Sequence, residues 1–227
     1  MTRFVLVHGA WHGAWCWSKV VPLIEERGHS AVAMDLPIED PSAGWSTYAD
    51  SVIGAIGDAD GDVVLVGHSM GGHVIPVVAE RRPVTRCVFL AAGMPVEESF
   101  AALMTKHPDH FGEGLMPKLV FAEDGGTSWR PDDAIEIFYH DCDEQDAREA
   151  VAQLRTQYIH LEESYPIGEF PNSPATYIVC TGDRAISPDW GRRITSELGI
   201  EKIEIDASHS PFWSKPAELA DVLVSLA

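Results

Sequence analysis

The sequence of this protein is poor in basic residues. Its 227 residues include 16 lysines and arginines against 35 aspartates and glutamates, which gives a formal net charge of −19 at pH 7. Binding to nucleic acid or to an anionic membrane surface requires clustered cations. The composition therefore argues against both as partners. A chain of this length forms one domain, or one domain with a modest insertion.

Cysteines and long apolar runs are also scarce. The four cysteines form no CxxC pair and have no metal-ligand spacing. The apolar run at 4–7 is too short for the core of a signal peptide, and no run is long enough to span a bilayer. We therefore expect a reduced, cytoplasmic protein whose chain starts directly with folded structure.

The common cofactor motifs are missing. The sequence has no GxGxxG, Walker or HExxH pattern. Two histidine pairs, His8 with His12 and His68 with His73, have no carboxylate or cysteine partner at ligand spacing. We therefore expect no cofactor and no metal.

The sequence does contain a regular alternation of short apolar runs and helical patterns. Runs rich in valine and isoleucine predict strands at 4–7, 31–34, 63–66, 84–90, 175–180 and 202–205. Helices are predicted at 17–27, 46–56, 72–82, 188–198 and 216–226. This alternation predicts an α/β fold, a mostly parallel sheet of about six strands with helices on both faces.

One long segment interrupts the alternation. Residues 94–172 have no strand pattern, but they contain two helical patterns, at 132–140 and 144–158. A compact domain rarely contains so long a segment without secondary structure. We therefore predict a short helical cap at 94–172, inserted into a core formed by residues 1–93 and 173–227.

The strongest local signal is the sequence GHSMG at residues 67–71, which follows the apolar run VVLV and precedes a helical pattern. In a G-x-S-x-G turn the chain reverses so sharply that the serine adopts strained dihedrals, and small flanking residues relieve the clash. A tight turn without catalysis is the alternative. The strand–turn–helix context favours Ser69 as a nucleophile.

A nucleophilic serine needs a base, and the base needs a group that fixes its tautomer. In hydrolases of this architecture the chain order is serine, acid, histidine. His209 lies in the loop between the last predicted strand and the last predicted helix, which makes it the candidate base. Asp183 directly follows the preceding predicted strand and is the candidate acid. Asp206, three residues before His209, is the alternative.

Two backbone N–H groups are predicted to form an oxyanion hole. One belongs to Met70, directly after the serine, and the other to Ala10, in the glycine-containing loop after the first strand. The predicted substrate-pocket residues are Trp11, His68, Trp129, Phe138 and Tyr139. For the last three, which lie in the insertion, packing within the cap is the alternative interpretation.

Several segments resemble the α/β-hydrolases, and more closely the plant methyl-ester esterase and hydroxynitrile lyase group with its bacterial relatives. They are the opening FVLVHGAWHGAWCWSKVVPLIEERGHSAVAMDLP, the elbow VVLVGHSMGGHVI, the acid loop YIVCTGDRAISPDWGRRI, the histidine loop IEIDASHSPFWSKPAELADVL and the cap helix IFYHDCDEQDAREAVAQL. The resemblance covers most of the chain. It implies Ser69, Asp183 and His209 as a catalytic triad, Ala10 and Met70 as oxyanion donors, and a cap over an apolar pocket for small aromatic or terpenoid esters.

Two positions depart from the lyase members of that group. Those members have a threonine beside the first histidine and a lysine directly after the catalytic histidine, where this chain has Gly9 and Ser210. The region from 94 to 132 is also shorter than is usual in the group.

From the motifs and the resemblance together, we predict a cofactor-free serine esterase that cleaves a small-molecule ester through an acyl-enzyme, with a homodimer as a candidate assembly. The alternatives are a lyase that uses the same triad and a non-catalytic ligand-binding protein of the same fold.

Overall fold

The computed structural model describes residues 1–58, 61–168, 170 and 173–227. In these residues the strands are β1 Arg3–Val7, β2 Ser30–Met34, β3 Val63–His68, β4 Arg86–Leu90, β5 Val120–Phe121, β6 Thr127–Ser128, β7 Ala175–Cys180 and β8 Glu201–Ile205. Six of them form one sheet in the order β2-β1-β3-β4-β7-β8, and every neighbouring pair is parallel. The predicted parallel sheet of six strands is confirmed.

The α-helices of the described residues are α1 Val21–Glu26, α2 Trp45–Ile56, α3 Gly71–Arg81, α4 Phe100–Lys106, α5 Leu115–Lys118, α6 Pro131–Phe138, α7 Glu144–Val151, α8 Pro188–Leu198, α9 Pro211–Ser214 and α10 Pro216–Ser225. The helix predicted at 17–27 begins later than expected, because a 3₁₀ helix, Ala14–Trp17, precedes α1. Gly28 follows the end of α1 with a φ of +85°, a conformation that glycine adopts without strain.

Helices cover both faces of the sheet, and the alternation of strand side chains explains how. On β1, Phe4 and Leu6 belong to one buried cluster, while Val5 and Val7 belong to the other. The first cluster includes residues of α1, α9 and α10, and the second includes residues of α2, α3 and α8. Because both faces of the sheet are buried, the side chains on both sides of each strand are apolar. This explains the nearly continuous apolar runs in the sequence, which are typical of parallel sheets.

The segment between β4 and β7 contains more structure than the sequence predicts. Although residues 94–172 have no strand pattern, β5 and β6 form a short antiparallel pair there. The helices α4 and α5 have no counterpart among the predicted helices. The helix predicted at 144–158 ends at Val151. Beyond it, the N–H groups of Arg155 and Tyr158 donate to the carbonyls of Trp11 and Ile38 instead of continuing the helix. Asn172, the predicted end of the insertion, lies outside the described residues.

Candidate active site

Ser69 directly follows β3 and precedes α3, at the carboxyl edge of the parallel sheet. Its φ is +52°, which is a strained conformation for a residue with a side chain. A Cβ at position 67 would lie 2.6 Å from the carbonyl oxygen of Gly71, and a Cβ at position 71 would lie 2.8 Å from the carbonyl oxygen of Val7. Glycine is therefore required on both sides of the serine. The half-buried Ser69 side chain lines a cavity.

Asp183 and His209 form a buried pair at the ends of two neighbouring strands, β7 and β8. The imidazole Nδ1–H of His209 donates to Oδ2 of Asp183 at 2.8 Å, and each side chain is 2% exposed. The other carboxylate oxygen accepts the N–H groups of Ala185 and Ile186 at 2.7 and 3.0 Å. These bonds fix the carboxylate, and a neutral imidazole that donates at Nδ1 keeps Nε2 free to accept a proton.

The alternative acid, Asp206, lies elsewhere. Its side chain is 95% exposed and accepts a hydrogen bond from the hydroxyl of Thr181 at 3.3 Å. Among the described residues it makes no hydrogen bond to His209. Of the two candidate acids, Asp183 is the one whose carboxylate is hydrogen-bonded to His209 in the described part of the chain.

His68 was predicted to line the substrate pocket, but it is not among the residues that line the cavity. It is fully buried, and its Nε2–H donates to the carbonyl of His209 at 2.9 Å. The two rings are 4.5 Å apart between centroids. Burial lowers the pKa of His68 well below its ordinary value, so the ring is neutral. His68 therefore joins the end of β3, one residue before Ser69, to the loop that carries His209.

The backbone N–H groups of Ala10 and Met70 are both available to a ligand. In the described part of the chain neither has a hydrogen-bond acceptor, and both residues line the cavity that contains Ser69. The carbonyl of Gly9, which shares a peptide group with the N–H of Ala10, accepts a hydrogen bond from Nδ1–H of His8 at 2.8 Å. Burial lowers the pKa of His8 to about 4, so this ring is neutral and acts as a fixed hydrogen-bonding group.

The cavity has a volume of about 320 Å³. Two of the predicted pocket residues, Trp11 and Phe138, line it. Trp129 does not, because it packs behind them, with ring centroids 5.3 Å from Trp11 and 4.8 Å from Phe138. Tyr139 does not line it either, because its hydroxyl turns to His12 at 2.7 Å. Both residues therefore lie outside the cavity lining, and both contact residues of the loop after β1.

Most of the cavity wall comes from residues that the sequence reasoning did not single out. They include Trp45 and Tyr48 of α2, His73 of α3, Phe100 and Met104 of α4, His110, Phe111 and Leu115 near α5, Phe121 of β5, Gln157–Leu161 after α7, and Ile186 after β7. These residues come from segments distant in the chain, and no short motif connects them. Within the sequence, only the GxSxG turn and the loops that contain Asp183 and His209 have local patterns that indicate a functional site.

The described residues offer neither a cluster of three or more histidine, cysteine or acidic side chains that could hold a metal ion, nor a helix long and apolar enough to cross a membrane. The four cysteines are free thiols.

A family model described as the alpha/beta hydrolase family matches residues 4–222. This chain belongs to the alpha/beta hydrolase family. Methylesterase 2 of Arabidopsis thaliana is 32% identical to this hydrolase over 99% of this chain and 95% of the relative. Methyl jasmonate esterase 1 of Vitis vinifera is 27% identical over 97% of this chain and 95% of the relative.

The solved structure of polyneuridine aldehyde esterase has a TM-score of 0.87 to this hydrolase at 22% identity, and covers 100% of this chain and 99% of that one. At this identity the likeness concerns the fold. Together with the curated relatives, it confirms the predicted resemblance to α/β-hydrolases of the methyl-ester esterase group.

Proposed function

We propose that this hydrolase cleaves small carboxylic esters through an acyl-enzyme, with Ser69 as nucleophile, His209 as base and Asp183 as the acid that orients it. One observation carries the proposal. Four separate loops at one edge of the sheet contribute a serine in a strained conformation, two backbone N–H groups that have no acceptor among the described residues, and a buried His–Asp pair. The full-length similarity to proteins named methylesterases supports the choice of esters.

This arrangement supports the following reaction. Nε2 of His209 takes the proton of Ser69 as Oγ attacks the ester carbonyl, and the N–H groups of Ala10 and Met70 stabilise the negative oxygen of the tetrahedral intermediate. The imidazolium then protonates the leaving alcohol. Water, activated by the same histidine, cleaves the acyl-enzyme and restores Ser69.

The walls of the cavity favour apolar or aromatic esters, and the similarity to proteins named methylesterases supports methanol as the leaving alcohol. The predicted cap, residues 94–172, supplies Phe138, Phe121 and Leu115 to those walls, and we propose that it closes the site over the core formed by 1–93 and 173–227. The net charge of −19 and the four free thiols support a cytoplasmic protein that does not bind nucleic acid.

The lyase alternative is disfavoured at two positions. A Cβ at position 9 would lie 2.7 Å from Cβ of Ser69 and 2.8 Å from Nδ1 of His68. The threonine of the lyase group therefore has no room in this backbone. Ser210 is buried where that group has a lysine, so a cation for the departing cyanide is missing from that position.

The test combines covalent labelling with turnover. A fluorophosphonate probe should label Ser69 once per chain by mass spectrometry, and p-nitrophenyl butyrate should give a burst of p-nitrophenol followed by steady turnover. Ser69→Ala should abolish the label and lower kcat by about a thousandfold or more with an unchanged Tm. Cyanide release from mandelonitrile, without ester turnover, would instead support a lyase. Labelling without turnover of any ester would support a ligand-binding protein.

A further inference from the structure

The loop after β1 supplies one proposed oxyanion donor, and its backbone has an unfavourable conformation. Trp11 has a φ of +62°, which is a strained value for a residue with a side chain. Such strain persists only where the surrounding contacts hold it. The strained residue directly follows Ala10, whose N–H has no acceptor in the described part of the chain. The contacts that hold Trp11 therefore help to fix the direction of that N–H.

Arg155, a residue of the predicted cap, makes two hydrogen bonds to this loop. Its backbone N–H donates to the carbonyl of Trp11 at 2.7 Å, and Nη1 of its guanidinium donates to the carbonyl of His12 at 3.4 Å. The ring of His12 in turn donates through Nδ1–H to the carbonyl of Ala10 at 2.7 Å. Arg155 therefore binds the backbone of Trp11 and of the residue whose ring fixes the carbonyl of Ala10.

The guanidinium also acts on the other side of Ala10, through Leu36. Nη2 of Arg155 donates to the carbonyl of Leu36 at 3.4 Å. The N–H of Leu36 donates to Nε2 of His8 at 2.9 Å, which places the ring proton on Nδ1. This Nδ1–H donates to the carbonyl of Gly9 at 2.8 Å, and that carbonyl belongs to the same peptide group as the N–H of Ala10. Hydrogen bonds thus connect Arg155 to the peptide groups on both sides of Ala10.

Two carboxylates hold the guanidinium in place. Nη2 of Arg155 lies 3.0 Å from Oε2 of Glu39, and Nη1 lies 3.5 Å from Oδ1 of Asp35. The same oxygen of Asp35 accepts the N–H of Ala14 at 2.8 Å, at the end of the loop after β1. Arginine presents five N–H donors in one plane, so it can bind carbonyls and carboxylates together, whereas the ammonium of lysine has three donors on one atom. The contacts of this side chain therefore match an arginine specifically.

We propose that Arg155 is a positioning residue for the oxyanion hole, which holds the N–H of Ala10 towards the substrate carbonyl through the loop after β1. The inference rests on the proposed esterase function, because that N–H stabilises the negative oxygen of the tetrahedral intermediate. Arg155 is not among the residues that line the cavity, so it acts without touching the substrate. Its loss should weaken binding of the transition state and leave binding of the ester nearly unchanged.

The kinetic test uses Arg155→Met, which removes the guanidinium but keeps an apolar stem. We expect kcat for p-nitrophenyl butyrate to fall by about tenfold with KM within about twofold, a smaller loss than that of a direct oxyanion donor. Arg155→Lys keeps the charge without the planar set of donors and should recover part of the loss. An unchanged kcat in Arg155→Met, or a loss confined to KM, would overturn the assignment while the esterase proposal stands.

The matched control is Arg81→Met, because Arg81 makes the same kinds of contact elsewhere. Its guanidinium donates to the carboxylate of Asp50 at 2.9 Å and to the carbonyl of Ser46 at 3.4 Å, and its side chain is 31% exposed. These contacts join α3 to α2, and Arg81 is not among the residues that line the cavity. We expect this variant to lower Tm without changing kcat. An equal loss of kcat in both variants would mean a general effect of stability and would overturn the role of Arg155.

An inhibitor separates binding of the oxyanion from binding of the apolar chain. Oγ of Ser69 adds to the carbonyl carbon of pentyl trifluoromethyl ketone, the serine proton passes to His209, and the carbonyl oxygen becomes an oxyanion in the proposed hole. The corresponding secondary alcohol has the same size but cannot form this adduct. We expect Arg155→Met to raise Ki about tenfold for the ketone and less than twofold for the alcohol. Equal increases would mean that Arg155 shapes the cavity instead, and the assignment would be wrong.

Hydrogen exchange tests the positioning without catalysis. In Arg155→Met, backbone amides of residues 9–14 should exchange at least about tenfold faster than in the wild-type protein, because the loop opens more often. Arg81→Met should leave their exchange unchanged. If the wild-type protein turns over no ester but the exchange rates differ as expected, the esterase proposal fails and the positioning of the loop by Arg155 stands. Unchanged exchange in Arg155→Met would overturn that positioning, whatever the ester kinetics.

Discussion

The hydroxyl of Tyr139, directly after α6, donates a 2.7 Å hydrogen bond to Nε2 of His12. His12 in turn donates through Nδ1–H to the carbonyl of Ala10, also at 2.7 Å. Burial lowers the pKa of His12 to about 3, so the ring is neutral and can donate at one nitrogen while it accepts at the other. A residue of the predicted cap thereby holds the backbone of the loop that supplies one proposed oxyanion donor.

The same end of α6 also contacts the loop of the proposed base. The hydroxyl of Ser208 donates to the carbonyl of Phe138, and its N–H donates to the carboxylate of Asp141, both at 2.9 Å. Ser208 directly precedes His209. Residues 138–141 are therefore bonded to two of the loops that surround Ser69, and the insertion is expected to influence the chemical step as well as substrate choice.

Replacing Tyr139 tests this connection. Tyr139→Phe removes the hydroxyl but keeps the ring, which leaves His12 without its donor and the Ala10 backbone less firmly held. We expect kcat to fall by about tenfold, less than the loss of a direct oxyanion donor, with KM nearly unchanged. The measurement is kcat and KM for three esters that differ in acyl length, and the factor should be the same for all three.

The matched control is Thr195→Val, because Thr195 also has a buried hydroxyl, but that hydroxyl donates to the carbonyl of Gly191 inside α8. We expect this variant to lower Tm without changing kcat. If Tyr139→Phe changes KM by a different factor for each ester, Tyr139 acts on the substrate and the positioning argument is incorrect.

The second prediction concerns the choice of acid. Asp183→Asn should lower kcat/KM by about a thousandfold or more, because an amide in place of the carboxylate favours the wrong tautomer of His209. Asp206→Asn should leave kcat/KM within about twofold, since its side chain is 95% exposed. Both variants are measured with the same ester and checked by thermal unfolding. The opposite ranking would transfer the role to Asp206.

The third prediction concerns the exposed part of the cavity wall. Phe121 of β5 is 64% exposed and lines the cavity. Phe121→Ala should raise KM for long-chain esters more than for short ones, while kcat and Tm change little, because its ring is largely in solvent. Leu198→Ala is the control, since Leu198 is 44% exposed and does not line the cavity. A similar KM change in both variants would argue against contact between Phe121 and the substrate.

The sequence predicts the core of this molecule well, because parallel strands are buried on both faces and their apolar runs stand out. The GxSxG turn, Asp183 and His209 lie at strand ends, where short motifs and chain order locate them. Whether they catalyse as proposed is a prediction that the labelling and turnover experiments test. The outline of the cavity was not predictable in the same way.

The cavity depends on contacts between distant segments. Thr127 accepts the indole N–H of Trp11 at 3.0 Å, and its backbone pairs with Gln157. Gln157 therefore pairs with a distant segment instead of continuing the helix predicted to reach residue 158, and nothing in the local sequence indicates this pairing. The hydrogen bond from Arg155 to His12 is likewise visible only once the fold is assembled, because the residues are 143 positions apart in the chain.

The last prediction concerns stability in acid. Burial lowers the pKa values of His8, His12 and His110 to about 4, 3 and 3, against an ordinary value of 6.5. As pH falls below about 6.5, the unfolded chain takes up protons that the folded chain does not, so the free energy of unfolding decreases. Each such histidine contributes a slope of about 1.4 kcal/mol per pH unit until the pH reaches its folded pKa. His68 and His73 are shifted in the same direction and add to the slope.

Urea unfolding at several pH values between 7 and 5 measures this slope, in a range above that in which most carboxylates take up protons. We expect stability to be greatest near or above pH 7 and to fall steeply by pH 5, with an uptake on unfolding of at least about three protons between pH 6 and 5. His110→Phe should reduce that uptake by about one proton, because the variant has one buried histidine fewer. A free energy of unfolding that stays constant from pH 7 to 5 would mean that these histidines are charged in the folded protein, and the neutral hydrogen-bonding roles assigned to His8 and His12 would then be incorrect.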